Sequence, residues 1–183
     1  SPILPVNNTV LESIIELDLE HKDYDLTTSF EMYETLEGSN NDRYQYVLPS
    51  YNFSKNFFLE SIKGSFNLNS QGNNTLKDTN VSTSKIFNDL NYSSINNLLD
   101  NGIKTNFDIS LKNVNTKGKN NPEYKENLHS RLMSAYTFNA SLPMINKTSS
   151  TFNTLEPKLS LRLSPNQMRD NNTLERRIDI NNI

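Results

Sequence analysis

The sequence predicts an all-β fold, an antiparallel up-and-down meander, on three observations. Apolar and polar residues alternate with period two along many stretches. The helical i, i+3, i+4 spacing is almost absent. Runs of Asn, Ser, Gly and Asp separate one alternating stretch from the next.

The first alternating stretch is IIELDLE, where Ile15, Leu17 and Leu19 share one side of an extended chain and Glu16, Asp18 and Glu20 share the other. The polar HKDYD turns the chain. LTTSFEMYETL then returns as a hairpin partner, with Leu26, Thr28, Phe30 and Met32 set against Thr27, Ser29, Glu31 and Tyr33, and EGSNND (37–42) closes it. RYQYVLPSYNF places Tyr44, Tyr46 and Leu48 on one side, and Pro49, which lacks a backbone donor, is expected where pairing ends. In SIKGSFNLNSQGNN, Phe66 and Leu68 alternate with Ser65, Asn67 and Asn69, and STSKIFNDLNY presents Ile86, Leu90 and Tyr92, with Phe87 breaking the pattern.

Asn101-Gly102 is the dipeptide best able to take positive φ at both centres of a tight hairpin turn. It introduces the cleanest strand, IKTNFDISLK, in which Ile103, Thr105, Phe107, Ile109 and Leu111 oppose Lys104, Asn106, Asp108, Ser110 and Lys112. A long polar loop is expected over 115–127. LHSRLMSAYTFNASLPM then sets Leu132, Tyr136, Phe138 and Leu142 on a common side. TLEPKLSLRLSP reads as one strand, with Leu155, Pro157, Leu159, Leu161 and Leu163 against Glu156, Lys158, Ser160 and Arg162, and a last strand is expected near Arg176 or Arg177. The total is roughly nine strands joined in sequence.

Composition narrows the setting. Only 34% of residues are hydrophobic, Trp is absent and mean hydropathy is -0.68, so a compact globule would have little apolar material for its core. Roughly 30 Asn and about 20 Ser suit turns and hydrated surfaces. Disorder is opposed by the 9% aromatic content, the net charge of only -3 and the ordered alternation. Without cysteine the sequence offers no disulfide, thiol nucleophile or thiolate metal site. No run approaches 18 consecutive apolar residues, and the first residues lack a signal-peptide pattern. The start without Met and the ending RRIDINNI suggest an internal piece of a longer protein. With 18 basic against 21 acidic residues there is no basic stripe, and nucleic acid is not expected as a partner.

The contrast between faces favours a membrane. Strands of about ten residues match what a tilted strand needs to cross a bilayer. In a transmembrane barrel the apolar side faces lipid and the polar side a wet lumen, which accounts for the low hydropathy. A soluble sandwich also alternates, usually on shorter strands, and stands as the alternative. On the barrel reading Phe107, Ile109, Leu159 and Leu161 face lipid, and Tyr44, Tyr46, Tyr92, Tyr136 and Phe138 lie at the headgroup girdles. Lys104, Asp108, Lys112, Lys158 and Arg162 face the lumen, where the cations keep the wall wet and pair with Asp108 and Glu156; accommodating phosphorylated sugar heads is their second possible use.

His21 and His129 stand in no HxxxH or HExxH spacing, so neither a metal nor a catalytic role is expected of them. The acidic turns EHKDYD and EGSNND read as solvated loops, since neither has the ligand spacing of a calcium-binding loop. No glycine-rich phosphate loop occurs, and neither an enzymatic activity nor a cofactor is expected.

Several stretches together carry a family resemblance. DRYQYVLPSYNF (42–53), NVSTSKIFNDLNYSS (80–94), FDISLKNVNTKGKN (107–120), TLEPKLSLRLSPN (154–166) and the terminal RRIDINNI resemble the outer-membrane barrel of LptD, the lipopolysaccharide-assembly protein also called organic solvent tolerance protein, in its Asn- and Lys-rich alphaproteobacterial form. The resemblance runs from about Thr9 to the end, and TLEP followed by SPN is its most telling element.

It implies localisation in the bacterial cell outer membrane, lipopolysaccharide as cargo, an LptE-like lipoprotein plug and an LptA-like periplasmic bridge. It further implies that 1–183 is part of a barrel of about 26 strands, without the periplasmic N-terminal domain, the C-terminal strands, or the cysteines that link those parts in many relatives. The rival functions are another large outer-membrane barrel, a porin or siderophore transporter, and a soluble β-rich surface-binding module.

Overall fold

The computed structural model describes residues 9–37 and 43–165. Its strands are β1 (Val10–His21), β2 (Tyr24–Thr35), β3 (Tyr44–Leu59), β4 (Gly64–Lys77), β5 (Val81–Ser94), β6 (Asn97–Leu98), β7 (Lys104–Lys119), β8 (His129–Ser141), β9 (Met144–Lys147), β10 (Phe152–Leu155) and β11 (Lys158–Leu163), with one 3-10 turn at Glu60–Ile62. The main sheet runs β1-β2-β3-β4-β5-β7-β8-β11, and β6 continues the line of β5 alongside β7. Every pairing is antiparallel, so the fold is the all-β up-and-down meander that alternation predicts. No helix among the described residues is long and apolar enough to cross a membrane.

The structure corrects four expectations. Pairing does not end at Pro49. Ser29 pairs with Ser50 and Glu31 with Val47, while on the other side Ser50 pairs with Asn73 and Val47 with Thr75. Leu48 and Pro49 therefore oppose a single residue on each neighbour. A bulge is where a strand tolerates a missing donor, and β3 continues through it for 16 residues.

The Asn101-Gly102 turn is also different. Gly102 N donates to Leu99 O and Leu99 N to Ile103 O, both at 2.9 Å, and of these residues only Gly102 has positive φ, at 82°. This is a three-residue loop closed by a glycine bulge, which needs a left-handed conformation at one position only.

The expected loop 115–127 starts too early, because β7 runs to Lys119. Asn115 and Gly118 are turn-formers by type, but Asn115 to Lys119 pair in full with Ser82 to Ile86 of β5, and context outweighs propensity in a strand. Finally, TLEPKLSLRLSP is not one strand. It breaks at Glu156-Pro157, so that β10 pairs only with β9 and β11 pairs with β8, while Leu142 N donates to Pro157 O at 3.0 Å across the interruption. The strand expected near Arg176, the RRIDINNI motif and most of the 37–42 loop lie outside the described residues.

Candidate functional site

Cross-strand partners point to the same side of a sheet, so the register assigns each residue to a face. One face is apolar. Its rows include Leu161–Phe138–Phe107 and Leu163–Tyr136–Ile109–Tyr92–Phe66–Phe57, with Ile15 beside Phe30 and Tyr46 beside Leu76. Tyr44, Tyr46, Phe107, Ile109, Tyr136, Phe138, Leu159 and Leu161 all fall here. The other face is polar and holds all five residues expected together: Lys104 and Lys158 share Ser141 as partner, Asp108 and Arg162 share Thr137, and Lys112 pairs with Met133.

The polar face is the crowded one. Ser29, Val47, Thr83, Lys112, Val114, Thr116, Met133 and Ala135, the buried residues with side chains, all lie on it. The apolar face is open, with Ile15 74%, Leu17 63% and Leu163 66% exposed. The main contacts between elements run only between neighbouring strands, so among the described residues no second layer covers the apolar side. A sheet curled toward its polar face has this distribution.

The apolar band crosses the sheet obliquely. On β1 it centres on Leu17, which stands in the row Leu17–Thr28–Tyr51–Gly72–Ile86–Asn115. On β11 it centres on Leu161, a row-mate of Phe107. Asn115 and Phe107 are eight residues apart on β7, about 27 Å at 3.4 Å per residue, and the seven strand intervals from β1 to β11 span about 34 Å. The strands are therefore inclined by about 40° to the normal of the apolar band.

Charge is segregated on the polar face. Strands β1 and β2 bring Glu12, Glu16, Asp18, Glu20, Asp25 and Glu31 there, while β5, β7, β8 and β11 bring Lys85, Lys104, Lys112, Arg131, Lys158 and Arg162 with Asp89 and Asp108. Between them amides and hydroxyls bond to each other: Asn67 donates to Asn56 at 2.7 Å and Asn69 to Asn67 at 2.6 Å. Asp108 accepts from Ser93 at 2.7 Å and from Asn139 at 2.8 Å. The ammonium of Lys112 is 3.7 Å from Asp89, an ionic contact too long for a hydrogen bond, so its carboxylate neighbour is Asp89 where Asp108 was expected. Lys158 does reach Glu156, at 3.4 Å. The Ser141 hydroxyl and the Lys158 ammonium together hold the Glu156 carboxyl, which lies between β10 and β11, below its ordinary pKa.

One arrangement was not foreseen. On the apolar face Tyr51 and Ser70 hydroxyls meet at 3.2 Å, Ser70 donates to Asn88 at 2.7 Å, Asn88 to Asn113 at 3.2 Å and Asn113 to Ser130 at 3.3 Å. This polar ladder crosses five strands. Its signal in the sequence is a polar residue two positions from a leucine in three strands, at Leu68/Ser70, Asn88/Leu90 and Leu111/Asn113.

The histidines come to different places. His21 stacks on Tyr24 at 4.9 Å and accepts from Asp23 N at 3.3 Å in the β1–β2 turn, while His129 lies beside Thr116 on the polar face. No group of three His, Cys, Asp or Glu residues placed to hold a metal occurs among the described residues. No known family model matches the chain, and no curated protein matches it.

Proposed function

We propose that this sheet is part of the wall of a large transmembrane β-barrel in a Gram-negative outer membrane, with its apolar face against acyl chains and its polar face lining a hydrated lumen. The observation that carries this reading is the inversion of the usual soluble arrangement: the crowded face is polar and the oblique apolar band is open. An inclination of about 40° falls within the 35–45° of membrane barrels, where a band perpendicular to the barrel axis must cross tilted strands. On this placement Tyr44 and Tyr46, at the start of β3, belong to a girdle, while Tyr136 and Phe138 share rows with Ile109 and Phe107 inside the band.

Within that class we assign the wall to an LptD-like translocon that inserts lipopolysaccharide into the outer leaflet, served by an LptE-like plug and an LptA-like bridge. Support for this step comes from the sequence resemblance. The barrel performs no covalent chemistry; it offers a wet path for sugar heads, walled by charges and amides. Depleting the full-length protein from its native cells tests the assignment. Surface-accessible lipopolysaccharide should fall while the inner-membrane pool rises. Normal surface lipopolysaccharide, with the protein found in the carbonate-resistant membrane fraction, would reject the translocon and keep the barrel; release by carbonate would reject both.

A further inference from the structure

Residues 120–128 connect β7 to β8, and they fold back over the polar face. Gly118 N donates to Lys125 O at 2.8 Å, and the Asn121 side chain donates to the Thr83 hydroxyl at 2.9 Å. Asn120 reaches Asn80 O at 3.1 Å, anchoring the segment to the β4–β5 turn. The Lys85 ammonium sits 4.9 Å from the centre of the Tyr124 ring, a cation–π contact. By register the side chains of Thr83 and Lys85, and the Cα hydrogen side of Gly118 that Tyr124 covers, belong to the polar face, so the Asn121 and Tyr124 contacts are made on the inside of the curl, while the Gly118–Lys125 bond lies in the plane of the sheet and the Asn80 bond at the turn. Gly118 is what allows the approach, since a Cβ there would stand 2.6 Å from the Tyr124 Cβ.

We propose that this segment is an inward strap that narrows one mouth of the lumen, with Tyr124 clasped by Lys85, and that it limits the size of hydrophilic solutes able to pass. The proposal rests on the barrel reading and is independent of the cargo. Barrels are known to be partly filled by their own loops, and here the loop is tied by side-chain and backbone bonds rather than left above the rim.

The test uses the full-length protein in planar bilayers. Replacing 121–126 with a Gly-Ser linker should raise single-channel conductance by at least about twofold, because the removed chain lies in the open cross-section. Tyr124→Ser keeps the loop length and should raise conductance by less, which guards against a deletion that does not fold. A Thr83→Cys, Asn121→Cys pair should form a disulfide under mild oxidation without lowering conductance. Unchanged conductance in a deletion variant that still forms channels, or a cysteine pair that stays unlinked, overturns the strap and leaves the barrel standing. Absence of channels from the unmodified protein overturns both.

Discussion

Ile109→Lys is the substitution whose cost depends most directly on what the apolar face touches. Ile109 lies between Tyr92 and Tyr136, at the middle of the apolar run Phe107, Ile109, Leu111 on β7. A lysine at the midplane of a bilayer costs about 2–4 kcal/mol, falling to about 0–1 near the interfaces. At an inclination of about 40°, two residues along a strand move a side chain about 5 Å along the membrane normal. Ile109→Lys should therefore cost about 3 kcal/mol, roughly a hundredfold in the folding equilibrium. Lysine at Asn113 should cost about 1 kcal/mol, and at Asn115 close to nothing. Ser110→Lys, one residue away on the polar face, should stay within about 0.5 kcal/mol.

The same scan on β1 should peak at Leu17, although Leu17 is in register with Asn115 and not with Ile109. The assay is urea-dependent folding of the full-length protein into lipid vesicles, read by gel mobility of unheated samples. A flat profile along β7, or a penalty at Ser110 equal to that at Ile109, would refute a lipid-facing band. A β1 peak in register with Ile109 would refute its inclination.

Three further outcomes follow from contacts in the sheet. Gly72→Ala puts a Cβ 2.6 Å from Tyr51 Cε1 and 2.9 Å from the Lys85 carbonyl, which is backbone, so it should destabilise by about 1–3 kcal/mol in the same urea assay; at Gly64 the three nearest atoms to an added Cβ all belong to the Tyr92 side chain, which can shift at the expense of its bond to Ile62 O, so Gly64→Ala should cost less. Asn88→Ala cuts the polar ladder between Ser70 and Asn113 and should lower stability by about 0.5–2 kcal/mol, the span for side-chain hydrogen bonds between helices in membranes. Asp89→Ala leaves Lys112, whose side chain is 9% exposed, without its carboxylate and should cost up to about 3 kcal/mol, whereas Lys112→Met, which removes the charge that needs a partner, should cost less when midpoints are compared.

Alternation is a local property, and it is why the faces were legible. Lys104, Asp108, Lys112, Lys158 and Arg162 reached one side and Phe107, Ile109, Leu159 and Leu161 the other because period two fixes orientation wherever a strand is unbroken. What was hidden depends on partners distant in sequence. Pro49 looks like a stop until the register shows two neighbours accommodating it in a bulge. Asn115 to Lys119 look like a loop until β5 supplies their bonds. The split of TLEPKLSLRLSP reflects which strand each half meets, and no residue in it announces that choice. The ladder requires Ser70, Asn88 and Asn113 to share a row, and the strap requires Asn121 to meet Thr83, 38 positions earlier.

The even number of strands on the main path has a consequence for construction. Chain enters β1 at Val10 at one rim of the band, and because the main path has eight antiparallel passes, β11 heads back toward that same rim, with Leu163 still inside the band beside Tyr136. The passes thus pair into four there-and-back excursions, the last of them described as far as Leu163. In the proposed barrel, a module with an even number of passes can be inserted, duplicated or removed while every flanking segment keeps its side of the membrane, so walls of different circumference are open to evolution without inverting their ends.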